Sequence, residues 1–268
     1  MTREESIMKR VREHYDEALE YFPEDKIVGV FLQGSQNYGL DYEDSDVDTK
    51  LITVPCFKDI CLNKKPISTT HVRENDEHTD WKDVRLYMET FRKQNLNFLE
   101  ILFTPYKIVN PMYEAEWNRL VEQREFIAHM NPYRAVKSMK GIALEKYHAM
   151  EHEYPSKVDV IAKWGYDPKQ LHHLLRVEEY LGRYCAGEPY VDCLRPRRPE
   201  YLIDVKRGCY DLETARIIAN TAKANVERLA DKWCSEREDE EVEWCRNLLQ
   251  DVSYQIMKIA VKNEFKEV

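Results

Sequence analysis

The chain has 268 residues, 43 % of them hydrophobic and 33 % charged, which is enough for a sizeable core and allows one large or two modest domains. Its formal net charge of −9 argues against a protein that coats nucleic acid nonspecifically, although a local basic groove is compatible with it. Since no stretch approaches the ~20 consecutive apolar residues of a membrane span, we expect a soluble, cytoplasmic protein with no membrane partner.

The first half of the chain alternates helical and strand patterns. A capping box at Thr2-x-x-Glu5 begins a helix, because each of the two side chains can bind a free backbone N–H group near the other residue. The remaining elements follow from apolar periodicity and capping residues. They are, in chain order, strands over 27–33 and 46–54, an irregular segment over 64–70, a strand near 77–82, a helix over 84–94 capped by Asp83, and a helix from Asn97 to Pro105 in which Glu100 completes the cap.

The second half of the chain is mainly helical in pattern. Apolar residues at three- and four-residue spacing predict four helices. They cover 133–152, 168–186, 211–234 and 237–264. Asp167 followed by Pro168 is typical of a helix N-terminus, and Asp211 can cap the third of these helices. The expected fold class is α+β (mixed α/β), with a small mixed-sheet domain over 1–130 and a mainly α-helical domain over 131–268.

A glycine-serine pair stands at the end of the first predicted strand. The apolar run over 27–32 stops just before Gly34-Ser35. Gly34 lets the backbone approach a phosphate closely, and Ser35 offers a hydroxyl and an N–H at the start of a short helical turn, where anions bind readily. The pair therefore predicts a phosphate-binding turn. Asn37 and Tyr38, which follow it, either contact a base or sugar or pack under the turn.

Two aspartates begin the second predicted strand. Successive side chains of a strand point to opposite faces, so we expect Asp46 and Asp48 on one face and Val47 in the core. Two neighbouring carboxylates repel each other unless a cation lies between them, and hard oxygen ligands suit Mg²⁺, which also takes phosphate oxygens. A phosphate-binding turn followed by Asp-x-Asp predicts a site for a nucleoside triphosphate with its metal.

Other nucleotide, metal and redox signatures are missing from the sequence. It contains neither a Gly-x-x-x-x-Gly-Lys loop nor a Gly-x-Gly-x-x-Gly fingerprint, so P-loop and Rossmann sites are not expected. Its 7 cysteines include no Cys-x-x-Cys pair, a usage typical of reduced thiols rather than of a disulfide framework or zinc site. His71 and His78 lack metal-ligand spacing, and we interpret both as non-catalytic.

At these residues the sequence resembles the DNA polymerase beta superfamily of nucleotidyltransferases, whose hallmark is a Gly-Ser turn followed by Asp-x-Asp. Gly34, Ser35, Asp46 and Asp48 match that hallmark. The fuller pattern, Gly-Ser-x-x-x-Gly-Leu and then Ser-Asp-x-Asp, is similar to a bacterial and phage branch of predicted nucleotidyltransferases associated by name with RNA repair. The likeness extends over most of the chain, but only this block is specific.

The superfamily resemblance implies a third carboxylate on a neighbouring strand. Asp80 is flanked by Thr79 and Trp81, which favour strands, whereas Asp83 directly precedes a helical pattern. We therefore expect Asp80, rather than Asp83 or Glu77, to bind the catalytic metal and to orient or deprotonate the attacking hydroxyl.

Three residues on one predicted helix in the second half form a candidate anion-binding face. Lys169, His173 and Arg176 share this face by three- and four-residue spacing. In an enzyme with an anionic substrate, Lys169 and Arg176 would reach the triphosphate or the acceptor. The alternative is that both are solvated charges beside a half-buried histidine.

A second basic feature is the loop Arg195-Pro196-Arg197-Arg198-Pro199. Its prolines exclude a regular helix. Because arginine fits phosphate geometry bidentately, Arg195, Arg197 and Arg198 are candidates for contacts with a nucleic acid backbone; the alternative is ordinary solvated surface.

The function expected from these residues and from the resemblance is metal-dependent nucleotidyl transfer. Two Mg²⁺ or Mn²⁺ ions held by Asp46, Asp48 and Asp80 would align a hydroxyl acceptor with the α-phosphorus of ATP or another nucleoside triphosphate, with release of pyrophosphate. Residues 1–130 would form the catalytic domain, and 131–268 would complete the substrate cleft. The family name favours an RNA end as acceptor. The alternatives are a protein-adenylylating enzyme of antitoxin type and a catalytically inactive nucleotide-binding scaffold.

Overall fold

The structure is a computed structural model that describes residues 1–42 and 45–266. The described residues pack into two compact units. The first unit contains residues 1–37, 45–130 and 241–266, and the second contains residues 38–42 and 131–240. In the described part of the chain, no helix combines the length and apolar character that crossing a membrane requires.

Helices form most of the described chain. In chain order they are α1 (Arg3–Tyr21), α2 (Phe57–Cys61), α3 (Val84–Arg92), α4 (Leu96–Leu99), α5 (Glu114–Glu122), α6 (Arg124–Ala128), α7 (Pro132–Ala149), α8 (Val158–Trp164), α9 (Pro168–Cys185), α10 (Tyr190–Leu194), α11 (Pro199–Lys206), α12 (Leu212–Ser235) and α13 (Glu243–Glu264). In the second unit, α7, α9, α11 and α12 pack together as a helical layer.

The described residues of the first unit form a five-stranded mixed sheet. Its strands are β1 (Ile27–Gln33), β2 (Asp48–Thr53), β3 (Ser68–Val72), β4 (His78–Asp83) and β5 (Lys107–Val109). Their order across the sheet is β3-β4-β2-β1-β5, in which β2 and β4 are parallel and the other neighbours are antiparallel. A mixed sheet within a largely helical chain confirms the predicted α+β class.

The strand register brings the predicted turn and the carboxylates to one end of the sheet. Gln33, the last residue of β1, pairs with Asp48, the first residue of β2, so Gly34 leaves the sheet beside Asp48. β4 runs parallel to β2 with Asp80 opposite Lys50. Because side chains alternate between the two faces of a strand, Asp48, Lys50 and Asp80 lie on the same face.

The opposite face of the sheet packs against α1 and forms a hydrophobic core. The residues of this core are Ile7, Val11, Tyr15, Ala18, Ile27, Val30, Leu32, Val47 and Leu51. On the face that carries Lys50, Phe31 packs against Trp117 of α5 with their ring centroids 4.3 Å apart. The sheet is therefore covered on both faces, as a strand with an almost wholly apolar sequence such as β1 requires.

Four of the five helix caps predicted from local sequence are confirmed. Thr2 and Glu5 form the reciprocal capping box of α1. Asp83 accepts a backbone N–H at the start of α3, and Asp167 and Asp211 do the same for α9 and α12. Each of these caps depends only on residues within one turn, so the sequence contains all the information they need.

Several of the sequence-based element boundaries are wrong. β3 spans Ser68–Val72, within a region where an irregular segment was expected as far as residue 70. It is an edge strand with mostly exposed side chains, and it shows none of the apolar alternation that marks a half-buried strand. α4 is capped by Asn95 rather than by Asn97, and Glu100 begins a buried 3₁₀ turn instead of completing the cap.

The last helix was expected to belong to a helical domain over residues 131–268, but it lies in the first unit. α13 packs in the first unit, where Asp251 pairs with Arg119 of α5 at 2.6 Å and Glu264 pairs with Lys26. Helical periodicity identifies the apolar face of a helix but not the surface that this face covers. The first unit is therefore completed by a segment from the far end of the chain.

Replacing Ile256 of α13 by alanine tests this packing. Ile256 is 0 % exposed, so we expect the substitution to lower the free energy of unfolding by about 2–5 kcal/mol in urea denaturation. The matched control is Ile217→Ala on α12, because Ile217 is 63 % exposed and its loss should change stability by less than about 0.5 kcal/mol. Equal stability of the two variants would contradict the burial of α13.

Candidate active site

The predicted phosphate-binding turn leaves β1 through a glycine. Gly34 has a φ of +91°, a conformation that glycine adopts without the steric cost of a side chain. Apart from its chain neighbours, no atom of the described residues lies within 4 Å of the position that a Cβ would take at Gly34. Ser35 then begins the 3₁₀ turn Ser35–Asn37, so the short helical turn expected from the sequence is present. The space beside Gly34 is open to a ligand.

The two aspartates lie at the same end of the sheet. The strand begins at Asp48 rather than at residue 46, because pairing with β1 starts there. Val47 is buried in the core as predicted, while Asp46 is exposed and Asp48 is half-buried. The Oδ1 atom of Asp48 accepts a hydrogen bond of 2.9 Å from the backbone N–H of His78. Both carboxylates therefore keep access to solvent.

Gln36, which the sequence did not single out, joins the turn to the first aspartate. Its Nε2 donates to the carbonyl oxygen of Asp46 at 2.5 Å, and Arg3 donates to the carbonyl oxygen of Gln36 at 3.1 Å. Gln36 itself is buried, and both of these bonds are partly shielded from water. Because Gln36 directly follows Ser35, the turn and Asp46 are held together. A glutamine bound to a backbone carbonyl 10 residues away leaves no local pattern that would predict it.

Glu77 fixes the backbone between the two aspartates. This glutamate is 1 % exposed, and its Oε1 accepts the backbone N–H of Val47 at 2.8 Å. Arg10 pairs with the same oxygen and also donates to the carbonyl oxygen of Ser45 at 3.2 Å. The main chain is therefore held on both sides of Asp46 by one ion pair, between the half-buried Arg10 and the buried Glu77. From the sequence alone, Glu77 is only an alternative candidate for the third carboxylate.

His14 of α1 completes this network. Its Nε2 lies 3.1 Å from Glu77, and its Nδ1 lies 2.8 Å and 3.0 Å from the hydroxyls of Thr49 and Thr79. Burial, and after it the positive charge of Arg73, lowers the pKa of His14 from 6.5 to about 3. At pH 7 His14 is therefore neutral, a state in which Nε2 donates to Glu77 and Nδ1 accepts from a threonine hydroxyl.

Asp80, the predicted third carboxylate, faces a lysine. Its Oδ2 lies 3.1 Å from Nζ of Lys50, and its Oδ1 accepts a hydrogen bond of 2.7 Å from the hydroxyl of Thr70. Burial alone would raise the pKa of Asp80, but the charge of Lys50 and the hydroxyl of Thr70 outweigh it and hold the pKa below its usual value. Asp80 is thus an ionised carboxylate with both oxygens engaged.

The other two acidic residues weighed for this role are also engaged. Asp83 accepts the backbone N–H of Arg85 at 2.8 Å and two further hydrogen bonds from its guanidinium group. Glu77 belongs to the buried network. Asp83 and Glu77 are both buried, whereas Asp80 is half-exposed and shares a strand face with Asp48. Asp80 is thus the most accessible of the three, and its role as a metal ligand stays a prediction.

The donor groups of this region match in part what a divalent cation requires. Across residues 1–42 and 45–266, no three His, Cys, Asp or Glu side chains are grouped so that they could hold a metal ion. Asp46 and Asp48 offer the oxygen donors that Mg²⁺ prefers, and both are open to solvent. Asp80 differs because an ammonium group already neutralises it. Two of the three predicted ligands fit a divalent cation, and the third does not in this arrangement.

In the second unit, α9 carries the predicted cation face. Lys169 is exposed, and Arg176 is half-buried with its guanidinium 4.1 Å from the centroid of the Tyr38 ring. His173 is half-buried on the same helix, and burial first, then neighbouring positive charges, holds its pKa well below the usual value. Tyr38 is thus a buried packing residue in this unit. Asn37, in the first unit, donates at 3.0 Å to a carbonyl of β1 and so braces the turn.

A second tyrosine of segment 38–42 also lies against cations. The ring centroid of Tyr42 is 4.5 Å from Nζ of Lys206 and 5.6 Å from the guanidinium carbon of Arg207. Nearby on α9, burial lowers the pKa of His172 to about 4, and the positive charges around it act in the same direction. We call the surface formed by Lys169, Arg176, Lys206, Arg207 and segment 38–42 the cationic surface of the second unit.

The proline-containing loop between α10 and α11 exposes all three of its arginines. Residues 195–198 form no regular helix, as expected. Arg197 pairs with Glu188 at 2.6 Å, and the guanidinium of Arg198 lies 4.9 Å from the ring centroid of Tyr201. Arg197 thus already has a counter-ion, which weakens it as a phosphate contact, and the carbonyl oxygen of Arg195 accepts from the guanidinium of Arg183.

The predicted site residues divide between the two units. The first unit brings together Gly34, Ser35, Asp46 and Asp48 at one end of the sheet, with Asp80 on the same strand face as Asp48. The second unit contains Lys169, Arg176, Arg195, Arg197 and Arg198.

Comparisons with known proteins do not assign the chain to a family. No family model matches it, and a search of curated proteins finds no match. Among solved structures it is similar to the crystal structure of a nucleotidyltransferase-like protein from Exiguobacterium sibiricum 255-15, with 12 % sequence identity and a TM-score of 0.29. That match covers 94 % of this chain and 74 % of the other. A likeness of this size does not support a functional assignment.

The neutral, buried state of His14 predicts an acid-sensitive fold. Its pKa is about 3 in the folded chain against 6.5 when unfolded, so between these values the unfolded chain binds more protons, and stability falls as the pH drops below about 6.5. We expect this one group to lower the free energy of unfolding by up to about 1.4 kcal/mol per pH unit in urea titrations. The slope should decrease by that amount in His14→Gln and stay unchanged in the control His148→Gln, where the histidine is exposed. A wild-type slope in His14→Gln would contradict the neutral state.

Proposed function

We propose that this protein is a metal-dependent nucleotidyltransferase. It would move a nucleoside monophosphate from ATP or another nucleoside triphosphate to a hydroxyl acceptor. The observation that carries the proposal is the junction between the glycine-serine turn and the aspartates: the Gln36 amide binds the carbonyl of Asp46, and Gln33 pairs with Asp48. A turn suited to phosphate and two solvent-open carboxylates therefore lie at one end of one sheet.

Each part of this junction has a chemical task. The open space beside Gly34 and the hydroxyl and N–H of Ser35 suit triphosphate oxygens. Asp46 and Asp48 would hold a Mg²⁺ or Mn²⁺ ion, which when bound neutralises negative charge on the phosphates. In the reaction, the acceptor oxygen forms a bond to the α-phosphorus and the bond from that phosphorus to the pyrophosphate oxygen breaks. The hydroxyl proton passes to a carboxylate or to water, and pyrophosphate leaves.

Positioning is the main contribution that the protein makes to such a reaction. Direct displacement at phosphorus needs no covalent intermediate with the protein, and its rate depends on alignment and on charge neutralisation. Glu77 and Arg10 fix the backbone on both sides of Asp46, and Gln36 fixes the turn relative to it. Since a misplacement of about 1 Å can cost roughly 100-fold in rate, these contacts matter for activity as well as for folding.

An RNA end is the acceptor that we favour. The loop at 195–198 exposes three arginines, and arginine binds phosphate oxygens bidentately. Lys206 and Arg207 of the cationic surface add further positive charge beside the half-buried ring of Tyr42, a combination typical of surfaces that bind single-stranded nucleic acid. Lys169 and Arg176 remain our proposed contacts to the nucleotide.

Label transfer tests the proposed activity. Purified protein is incubated with each nucleoside triphosphate labelled at the α-phosphate, with Mg²⁺ or Mn²⁺ and with either total RNA or total protein. We expect label in RNA and a loss of at least about 100-fold in Asp46→Asn and in Asp48→Asn. Both variants should match or exceed the melting temperature of the wild type, because each substitution relieves repulsion between carboxylates.

The other outcomes of this assay discriminate the alternatives. Label in protein would contradict the RNA acceptor and favour a protein-adenylylating enzyme. Label in neither fraction would contradict transfer and favour a nucleotide-binding scaffold.

Neutralising Arg195, Arg197 and Arg198 together tests the acceptor side. If these arginines bind RNA phosphates, the slope of the logarithm of affinity against the logarithm of salt concentration should flatten by ~0.7 for each phosphate that is no longer bound. Triphosphate binding should stay unchanged, because that site is assigned to the glycine-serine turn and the aspartates. An unchanged slope in RNA-binding titrations would assign this loop to ordinary surface.

A further inference from the structure

The partner of Asp80 is an enclosed lysine. The side chain of Lys50 is 2 % exposed, and its Nζ lies 3.1 Å from Asp80 and 4.3 Å from the centroid of the Phe98 ring. Lys50 stands two positions after Asp48 in β2, so its side chain emerges on the same face of the sheet. The sheet face that carries Asp48 and Asp80 therefore also carries a buried positive charge.

Enclosure keeps this lysine beside its carboxylate. A buried ammonium that lost its carboxylate would remain without water or counter-ion, which is strongly unfavourable. The ring of Phe98 covers the ammonium, so Lys50 has no free path to solvent. The pair is therefore a fixed part of the sheet.

A divalent cation on Asp80 would meet this ammonium directly. Oδ2 of Asp80 contacts Lys50, and Oδ1 accepts from the hydroxyl of Thr70. Two cations that share one carboxylate a few ångströms apart repel each other, and the buried ammonium of Lys50 has little water around it to screen that repulsion. A metal ion on Asp80 would have to displace the Thr70 hydroxyl or share an oxygen with the Lys50 ammonium. Asp46 and Asp48 carry no such restriction, since both are accessible to solvent.

We propose that Lys50 takes the place that a second metal ion would occupy beside Asp80. The site then binds one divalent cation, through Asp46 and Asp48, and Asp80 is a positioning residue that holds the Lys50 ammonium on the same face. This inference rests on the proposed function, because the cation is the one that would accompany the triphosphate. It replaces the expectation of two ions held by three aspartates.

The number of bound ions tests this inference without measuring activity. Mn²⁺ alone is titrated into the full chain, and free Mn²⁺ is counted by electron paramagnetic resonance. We expect one ion per wild-type chain and its loss in Asp48→Asn. In Lys50→Met the freed Asp80 should bind a second ion, and the double variant Lys50→Met/Asp80→Asn should return to one. The double variant removes both charges of the pair and so leaves no buried charge without a partner. It therefore reports on Asp80 even if the single variant Asp80→Asn does not fold.

Lys82→Met is the matched control. Lys82 lies on the same face of β4 as Asp80, and its Nζ is also 4.3 Å from the centroid of Phe98, but its side chain is only half-buried. It should keep one ion. A merely structural role for Lys50 would lower the melting temperature of Lys50→Met without adding a second ion, and that result would overturn the inference.

The remaining outcomes separate this inference from the proposed function. Two ions in the wild type, with one of them lost in Asp80→Asn, would overturn the role of Lys50 and leave the transferase intact. One ion in the wild type and two in Lys50→Met, without label transfer to any acceptor, would support the role of Lys50 and contradict the transferase. If neither the wild type nor any variant bound an ion, the proposed role of Lys50 in place of a metal ion would be overturned. The metal dependence of the proposed transferase would be overturned as well.

Discussion

The end of the sheet that carries the glycine-serine turn and the two aspartates depends on the buried charge of Glu77. A carboxylate that is 1 % exposed must replace its lost hydration, and Glu77 does so with Arg10, Arg73, His14 and the backbone N–H of Val47. These partners come from α1, from the approach to β2 and from the segment before β4. Because removing one partner of such a group costs about 3–5 kcal/mol, the three segments are held in one arrangement.

The parallel pairing of β2 with β4 places two polar layers on opposite faces of the same sheet. Thr49 and Thr79 bind the neutral His14 on the α1 face, and Lys50 pairs with Asp80 on the other. A slip of one residue would move every side chain to the wrong face, leaving an unpaired lysine in the hydrophobic core. The same register therefore specifies the fold and sets the charges beside the aspartates.

Features that depend on neighbouring residues could be predicted from the sequence, and contacts between distant segments could not. The caps at Asp83 and Asp167, the glycine-serine turn and the α+β class all follow from local patterns. Gln36 and Glu77 carry no motif, because their function comes from backbone groups that only the folded chain brings near. The packing of α13 in the first unit could not be predicted for a related reason. The sequence of an amphipathic helix identifies its apolar face but not the surface that this face covers.

Isothermal titration of a non-hydrolysable nucleoside triphosphate with Mg²⁺ tests most directly whether the Glu77 network holds Asp46 and Asp48 in a binding geometry. The wild type and Glu77→Gln are compared at a temperature where both are folded, because the amide keeps the shape of the side chain but loses its charge. We expect the wild type to bind and Glu77→Gln to bind at least about tenfold more weakly, although neither aspartate is changed. Equal affinity of the two proteins, or no binding to the wild type, would contradict this account.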